Sequence, residues 1–467
     1  MQTAKFVVCL VGYVLLCVAM VACGPVKAGV AKVDGTLPVG TPLAGFNHGA
    51  RRVPHWPLPH VTDFTTFMTG STGALNPTWT KALILDDGET RVALCTFDGI
   101  GADGSLSNMA RDIAEDMGMV TPRENVIFSG SHSHSGPGAV SPELLWALAP
   151  ATDFLVPELQ IALATSMATA IIEAEKNMVD AEIGISIGQL ANATVNRRAK
   201  ISPYLKTDSI DPNVGVIRVD KADGTVLATL WNFAIHGVCY GPDNMQFSSD
   251  IMGGVCDTIE AAVGGVALFV NADAGDIDPA PGVCDNKPNF AGAPYMAKVI
   301  LETRAKAPVS KTLEMATFST VVPFGNTDMN ITLSRFNNCT SGGPLDICTI
   351  CEFLRCDENA HLPDNYVEQN PIFNAIKFTI DNVTTGLVTM PGEALMNLGD
   401  WIREDLAAMH FDQALLFGYS NSHMGYFATP REYDIGGYES QLTFWGIGTA
   451  EKVRESCKMV ASKVASA

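Results

Sequence analysis

His132 and His134 stand one residue apart in Ser131-His132-Ser133-His134-Ser135-Gly136-Pro137-Gly138. On a strand, two imidazoles at this spacing share a face, so one can bind a metal while the other faces a substrate or supports its neighbour. The same spacing also suits a plain hydrogen-bonded pair. His236 follows the apolar segment Thr229–Ile235, where a lone histidine is more often a satisfied core residue than a ligand. Glu393, in Met390-Pro391-Gly392-Glu393, reads alone as a first-turn acid favoured by a helix dipole. Tyr426, in Asn421-Ser422-His423-Met424-Gly425-Tyr426, reads alone as packing. Asp273, Asp276 and Asp278 are either turn residues after a strand or carboxylates gathered at a site. Two His and one carboxylate form a usual catalytic zinc set that leaves a position for water. From residue types alone, the reading stops at a metal-dependent hydrolase.

These residues share a location that gives them weight together. Apolar runs at Lys81–Leu85 and Val92–Phe97 flank Asp86-Asp87-Gly88-Glu89, a hairpin signal. Helical spacing runs from Leu106 to Met117, and a strand at Asn125–Phe128 leads into the His132 segment. Pro157 opens a helix through Lys176. Val214–Val219 and Val226–Phe233 flank the turn pair Asp223-Gly224, Val266–Val270 leads into the Asp273–Asp278 run, Glu393 to Met409 reads as a helix and Ala414–Tyr419 as a strand. His132, His236, the aspartates and Tyr426 thus fall just past apolar strands, where sites are usually built on a rigid sheet. Because several strands pair locally by hairpins, the expected fold is mixed α/β: layered mixed β-sheets with surrounding helices rather than a doubly wound parallel sheet.

Composition narrows the partners. The chain has 467 residues, 47% hydrophobic and 17% charged, with net charge -20. That is ordinary globular composition, and the negative surface repels phosphates, so no nucleic-acid partner is expected. At the N-terminus, Lys5 precedes an apolar run from Phe6 to Ala22 and then Cys23-Gly24, which reads as a signal peptide over residues 1–23. Cys23 after Val21-Ala22 has the form of a lipoprotein cleavage and lipidation site, with plain cleavage as the alternative. The expected location is therefore exported: secreted, periplasmic or lipid-anchored at the cell envelope, with membrane contact through a lipidated Cys23. Among 12 cysteines, Cys339, Cys348, Cys351 and Cys356 cluster in a loop-rich region, where disulfides are expected and zinc binding is the competing reading.

The motifs taken in order resemble the neutral/alkaline non-lysosomal ceramidase family. The resemblance spans about residues 33 to 456. It rests on Val39-Gly40-Thr41-Pro42-Leu43-Ala44-Gly45, Phe97-Asp98-Gly99-Ile100-Gly101, the His132–His134 segment, Val195-Asn196-Arg197-Arg198, Asp211–Val216, Asn232–His236, Pro391-Gly392-Glu393 and the tail motif from Asn421 to Glu439. The segment around His132 and His134 is the most specific. The resemblance implies a Zn2+ cofactor held by His132, His236, Glu393 and Tyr426. Zinc would polarise a scissile carbonyl and lower the pKa of water toward neutrality. It also implies that His134 and Arg197 hold or polarise the substrate head, and that the substrate is a small-molecule or lipid amide, the N-acyl bond of a ceramide-like lipid.

Two departures bear on that expectation. Where the family motif carries a serine, this chain has Gly275-Asp276-Ile277-Asp278-Pro279, so a serine acyl-enzyme is not available at Asp278, which could serve instead as a general base or water-positioner. The family also continues into an immunoglobulin-like C-terminal domain, whereas here residues 30–467 are expected to form a single large catalytic domain ending in a helix. Beside the ceramidase-like amidohydrolase stand two alternatives: a zinc hydrolase of a different amide or ester, motivated by Asp278, and a catalytically silent metal-binding protein.

Overall fold

Asp87 and Gly88 turn the chain back between two apolar runs. Asp87 Oδ1 accepts from the amides of Glu89 at 2.9 Å and Thr90 at 2.7 Å, and Gly88 takes φ +96°, the left-handed region that favours glycine. A computed structural model describes residues 26–53, 62–148, 152–327 and 366–466. In it this hairpin lies near one edge of an eight-stranded sheet. Its strands are β1 (Lys27–Asp34), β2 (Trp79–Asp86), β3 (Arg91–Phe97), β4 (Val126–Gly130), β5 (Val179–Gln189), β6 (Asn213–Lys221), β7 (Val226–Phe233) and β8 (Val266–Asn271), in the order β8-β7-β6-β5-β1-β2-β3-β4. A four-stranded sheet follows, β9 (Glu314–Val321), β10 (Ile372–Ile380), β11 (Val383–Thr389) and β12 (Gln413–Phe417), in sequential order.

Most neighbours are antiparallel. The parallel pairs are β3/β4 and β7/β8 at the two edges of the large sheet and β11/β12 at one edge of the small one. Parallel neighbours need a crossover. Helices α1 (Gly104–Asp116), α3 (Asp250–Val263) and α5 (Met396–Ala408) supply these; α2 (Pro157–Lys176), α4 (Ala293–Lys306) and α6 (Thr449–Ala465) complete the outer layers.

The two sheets pack face to face. Leu83, Leu85, Ile183, Ile217 and Leu230 of the large sheet share one core with Ile376, Phe378, Leu387, Leu415 and Phe417 of the small one. The outer faces are covered too. Ile84, Ala93 and Phe128 pack under α1 and α2, Trp231 and Phe269 under α3 and α4, and Phe373, Val388 and Leu416 under α5 and α6. Coverage on both faces explains why β2 reads as a continuous apolar run rather than an alternating one. Each fully buried Leu or Ile contributes about 1.5–3 kcal/mol over exposure. The expected layered mixed α/β architecture is therefore what the chain adopts.

The structure corrects two local expectations. The helix expected from Glu393 begins instead at Met396, and Glu393–Ala394 is a two-residue strand paired in parallel with Tyr426–Phe427. The Glu393 amide donates to the Gly425 carbonyl at 2.9 Å. The first turn of α5 is satisfied from elsewhere in the chain, because Met396 N donates to Asp276 Oδ1 at 2.9 Å. Glu393 is thus no first-turn acid. Likewise, His132 and His134 do not lie on an extended strand: β4 ends at Gly130, and His132 takes φ +65°. The signal segment and the cluster Cys339, Cys348, Cys351 and Cys356 lie outside the described residues. Among those described, no helix is long and apolar enough to cross a membrane.

Candidate metal centre

Five of the chemically capable residues gather where parallel strands end. His132 follows β4, His236 follows β7, Asp278 follows β8, Glu393 follows β11 and Tyr426 follows β12. In open α/β sheets, ligands bind outside the carboxyl ends of strands for a geometric reason: diverging loops there leave a crevice. Here the crevices of two sheets meet. Gly130 N donates to the Tyr419 carbonyl at 3.1 Å, Asn421 N to Phe128 at 2.8 Å, Gly275 N to Ala394 at 2.9 Å and Gly418 N to Asn271 at 2.9 Å, closing a seam between the sheets.

Three lone pairs converge in that seam. Glu393 Oε2 lies 3.3 Å from His132 Nε2 and 3.5 Å from His236 Nε2. Each imidazole turns its other nitrogen to a backbone carbonyl, His132 Nδ1 to Ile100 at 2.7 Å and His236 Nδ1 to Ile277 at 3.1 Å. A carbonyl only accepts, so both rings carry a proton on Nδ1 and turn Nε2 toward Glu393. All three side chains are buried. Burial, opposed by Glu393 and reinforced by His236 and His423, brings the His132 pKa down to about 3. Burial pushes Glu393 upward, but the surrounding His132, His236 and His423 outweigh it and hold the carboxyl well below its usual range. Two buried imidazole nitrogens and a carboxylate oxygen facing one another fit a cation. Ligand-atom separations within 4.8 Å join His132, His134 and His236 in one group and His132, Glu393 and His423 in another.

The remaining expected residues touch this core. Tyr426 is aligned beside Glu393 by their strand pairing, and its hydroxyl accepts from Arg197 Nη2 at 3.2 Å. Burial, with Glu393 adding to it, pushes the Tyr426 phenol well above its ordinary pKa. Arg197 also reaches His236 Nε2 at 3.1 Å, Asp278 Oδ1 at 3.2 Å, the Gly275 carbonyl at 2.7 Å and Glu439 Oε1 at 2.8 Å. His134 Nε2 is 3.1 Å from His132 Nε2, and its Nδ1 finds no partner among the described residues. Asp278 is half-buried, held at the Arg197 edge of the cluster. Asp273 and Asp276 do structural work instead: Asp273 pairs with Arg403 at 2.8 Å, and Asp276 joins Asn196 at 2.7 Å to the start of α5. Their pairing excludes the gathered-carboxylate reading for these two.

Sequence reasoning missed three neighbours. His423 Nε2 lies 3.3 Å from Glu393 Oε1, and Tyr419 hydroxyl lies 3.4 Å from Oε2. Glu439 sits between Arg197 and Arg198, accepting from Arg198 Nη1 at 2.7 Å. His423 was in plain view within the Tyr426 motif, but nothing in a linear pattern says that its ring meets an acid thirty positions earlier.

The fold and site define a class: a four-layer α/β sandwich with an imidazole–carboxylate cluster at the seam of its two sheets. The sequence pattern of the family described as neutral/alkaline non-lysosomal ceramidase, N-terminal, matches residues 61–294, and the chain belongs to that family. It is 25% identical over 211 residues to a neutral ceramidase of Mycobacterium tuberculosis, covering 41% of this chain and 33% of that protein. It is 26% identical over 175 residues to neutral ceramidase B of Dictyostelium discoideum, covering 33% of this chain and 24% of that one. The chain thus spans a third or less of the length of these curated relatives. The crystal structure of neutral ceramidase from Pseudomonas aeruginosa superposes with a TM-score of 0.73 at 20% identity, over 95% of this chain and 75% of that one. A ceramidase complexed with C2 gives 0.74 at 19% identity, over 94% and 75%.

Proposed function

We propose that this chain is an exported zinc-dependent hydrolase that cleaves the N-acyl amide bond of a ceramide-like lipid. The observation that carries the reading is the convergence of His132 Nε2, His236 Nε2 and Glu393 Oε2, with each ring's Nδ1 turned to a backbone carbonyl. Family membership and the names of the relatives support the substrate class. Tyr426 would complete the ligand set. A zinc ion held there would supply Lewis acidity and lower the pKa of a water to about 7. The protein's own groups do the rest. Arg197 stays protonated, since Tyr426, Asp278 and Glu439 outweigh its burial. Its guanidinium, with His134, would bind the substrate head and stabilise charge developing on the carbonyl oxygen. Asp278, already oriented by Arg197, would accept a proton from the attacking water. The disulfide Cys239–Cys284 supports an oxidising compartment and hence export. Membrane contact would come through a lipidated Cys23.

One observation favours a second reading. Asp278 places a carboxylate where the family carries a serine, which suits a zinc hydrolase of a different amide or ester. A single assay separates the two: hydrolysis of a fluorescent N-acylsphingosine, a short N-acyl amide and an ester by zinc-loaded protein, with and without chelator. Chelator-sensitive cleavage of the N-acylsphingosine is expected; cleavage of only the other substrates would install the second reading. In parallel, His236→Ala is expected to lose stoichiometric zinc, and full zinc content in that variant would overturn the ligand assignment.

A further inference from the structure

We infer that His423 is a positioning residue that fixes the orientation of the Glu393 carboxylate by donating a hydrogen bond to Oε1, leaving Oε2 aimed at His132 and His236. The inference rests on the metal-centre reading above and adds a residue that reading does not use.

His423 is buried and lies 3.3 Å from Oε1 through its Nε2. An ionised carboxylate only accepts, so this nitrogen carries the ring proton. Its Nδ1 has no partner among the described residues, which leaves Glu393 as the polar contact that orients the ring. Packing fixes the same orientation. The Trp146 ring lies across it at 5.1 Å, and a Cβ at Gly101 would stand 2.6 Å from His423 Cδ2, so the absence of a side chain at Gly101 makes room for the imidazole. The backbone fixes its distance: Met424 N donates to Pro391 O at 2.8 Å, tying the His423 turn to the segment that carries Glu393. Oε2, by contrast, faces His132 Nε2 at 3.3 Å, His236 Nε2 at 3.5 Å and the Tyr419 hydroxyl at 3.4 Å. The two carboxylate oxygens are therefore differentiated before any cation arrives. A carboxylate free to rotate would lose entropy on binding and could present either oxygen. Partners that orient metal ligands typically change affinity by about 10–100-fold when removed.

The test measures Zn2+ affinity by competition with a chromogenic chelator, and the d–d spectrum of the Co2+-loaded protein, for wild type, His423→Phe and His423→Gln. His423→Phe removes the donor, whereas Gln keeps an N–H that can reach Oε1. The Phe variant is expected to bind Zn2+ about 10–100-fold more weakly, with the Gln variant near wild type and its Co2+ spectrum unchanged. Should the Phe variant not fold by circular dichroism, His423→Asn, too short to reach Glu393, replaces it. Unchanged affinity in the donor-less variant overturns the inference, as does a Gln variant as weak as Phe. An altered Co2+ spectrum in a weakened Gln variant makes His423 a ligand and also overturns it. If wild type itself binds neither ion, the metal-centre reading falls and takes this inference with it; if wild type binds and the donor-less variant binds equally, this inference alone fails.

Discussion

In the proposed reaction, Asp278 is the residue that sets this chain apart. It is half-buried, 3.2 Å from Arg197, and that arginine also touches His236 and Tyr426. A carboxylate so placed can take a proton that a serine could not. Asp278→Ala is expected to lower turnover by about a hundredfold or more with zinc content unchanged. An unaltered rate would reduce Asp278 to a turn residue. Asp278→Ser restores the family's residue, and a gain on N-acylsphingosine over short amides would show that this position selects the substrate. Which residues were legible at this scale follows from how their signal is carried. His132, His236 and Glu393 could be picked out because each closes or follows an apolar run in a short polar motif. Their identity as a set came from resemblance. His423 and Tyr419 stayed hidden because their significance lies in contacts made only after β11 and β12 are side by side.

At the scale of elements, the site is braced by a two-arginine clamp. Arg197 and Arg198 open a short helical turn after Asn196, and both grip Glu439. Arg198 is fully buried, its Nε 3.0 Å from Glu432 Oε2 and its Nη2 on the Glu432 and Gly436 carbonyls. Removing one partner of a buried pair strands the other charge, so Glu432→Ala is expected to cost about 3–5 kcal/mol, read as a shift of the urea midpoint at constant slope. A loss under about 1 kcal/mol would mean that Glu439 alone satisfies Arg198. Most elements were readable because turn chemistry and apolar runs agree, as in the Asp87-Gly88 and Asp223-Gly224 hairpins. The start of α5 was not. Its first amide is satisfied by Asp276, a residue distant in sequence, so the usual local signal was missing and Glu393 was drawn into the helix.

For the whole molecule, the covalent tie and the shared core bear on stability. Cys239–Cys284 closes a sequence separation of 45 residues and joins the loops that follow β7 and β8, the two loops that also carry His236 and Asp278. Replacing both cysteines with serine is expected to cost about 2–4 kcal/mol, with reductant reproducing the loss in wild type and leaving the variant unmoved. Equal stability with and without reductant in wild type would count against the bridge. This pairing was invisible in the sequence, where attention went to the denser cysteine cluster, because only the folded edge of the large sheet brings the two residues together. The layered architecture, in contrast, was readable from hairpins interleaved with helices.

The seam between the sheets has a consequence for the life history of the chain. His132 and His236 hang from the large sheet, Glu393 and Tyr426 from the small one. A molecule in which only the large sheet has formed would lack the Glu393 carboxylate of the proposed site. The proposed ligand set would be complete only once both halves have docked, so a bound ion would stabilise the finished molecule, by about 2.7 kcal/mol at a hundredfold excess over its dissociation constant, more than its precursors.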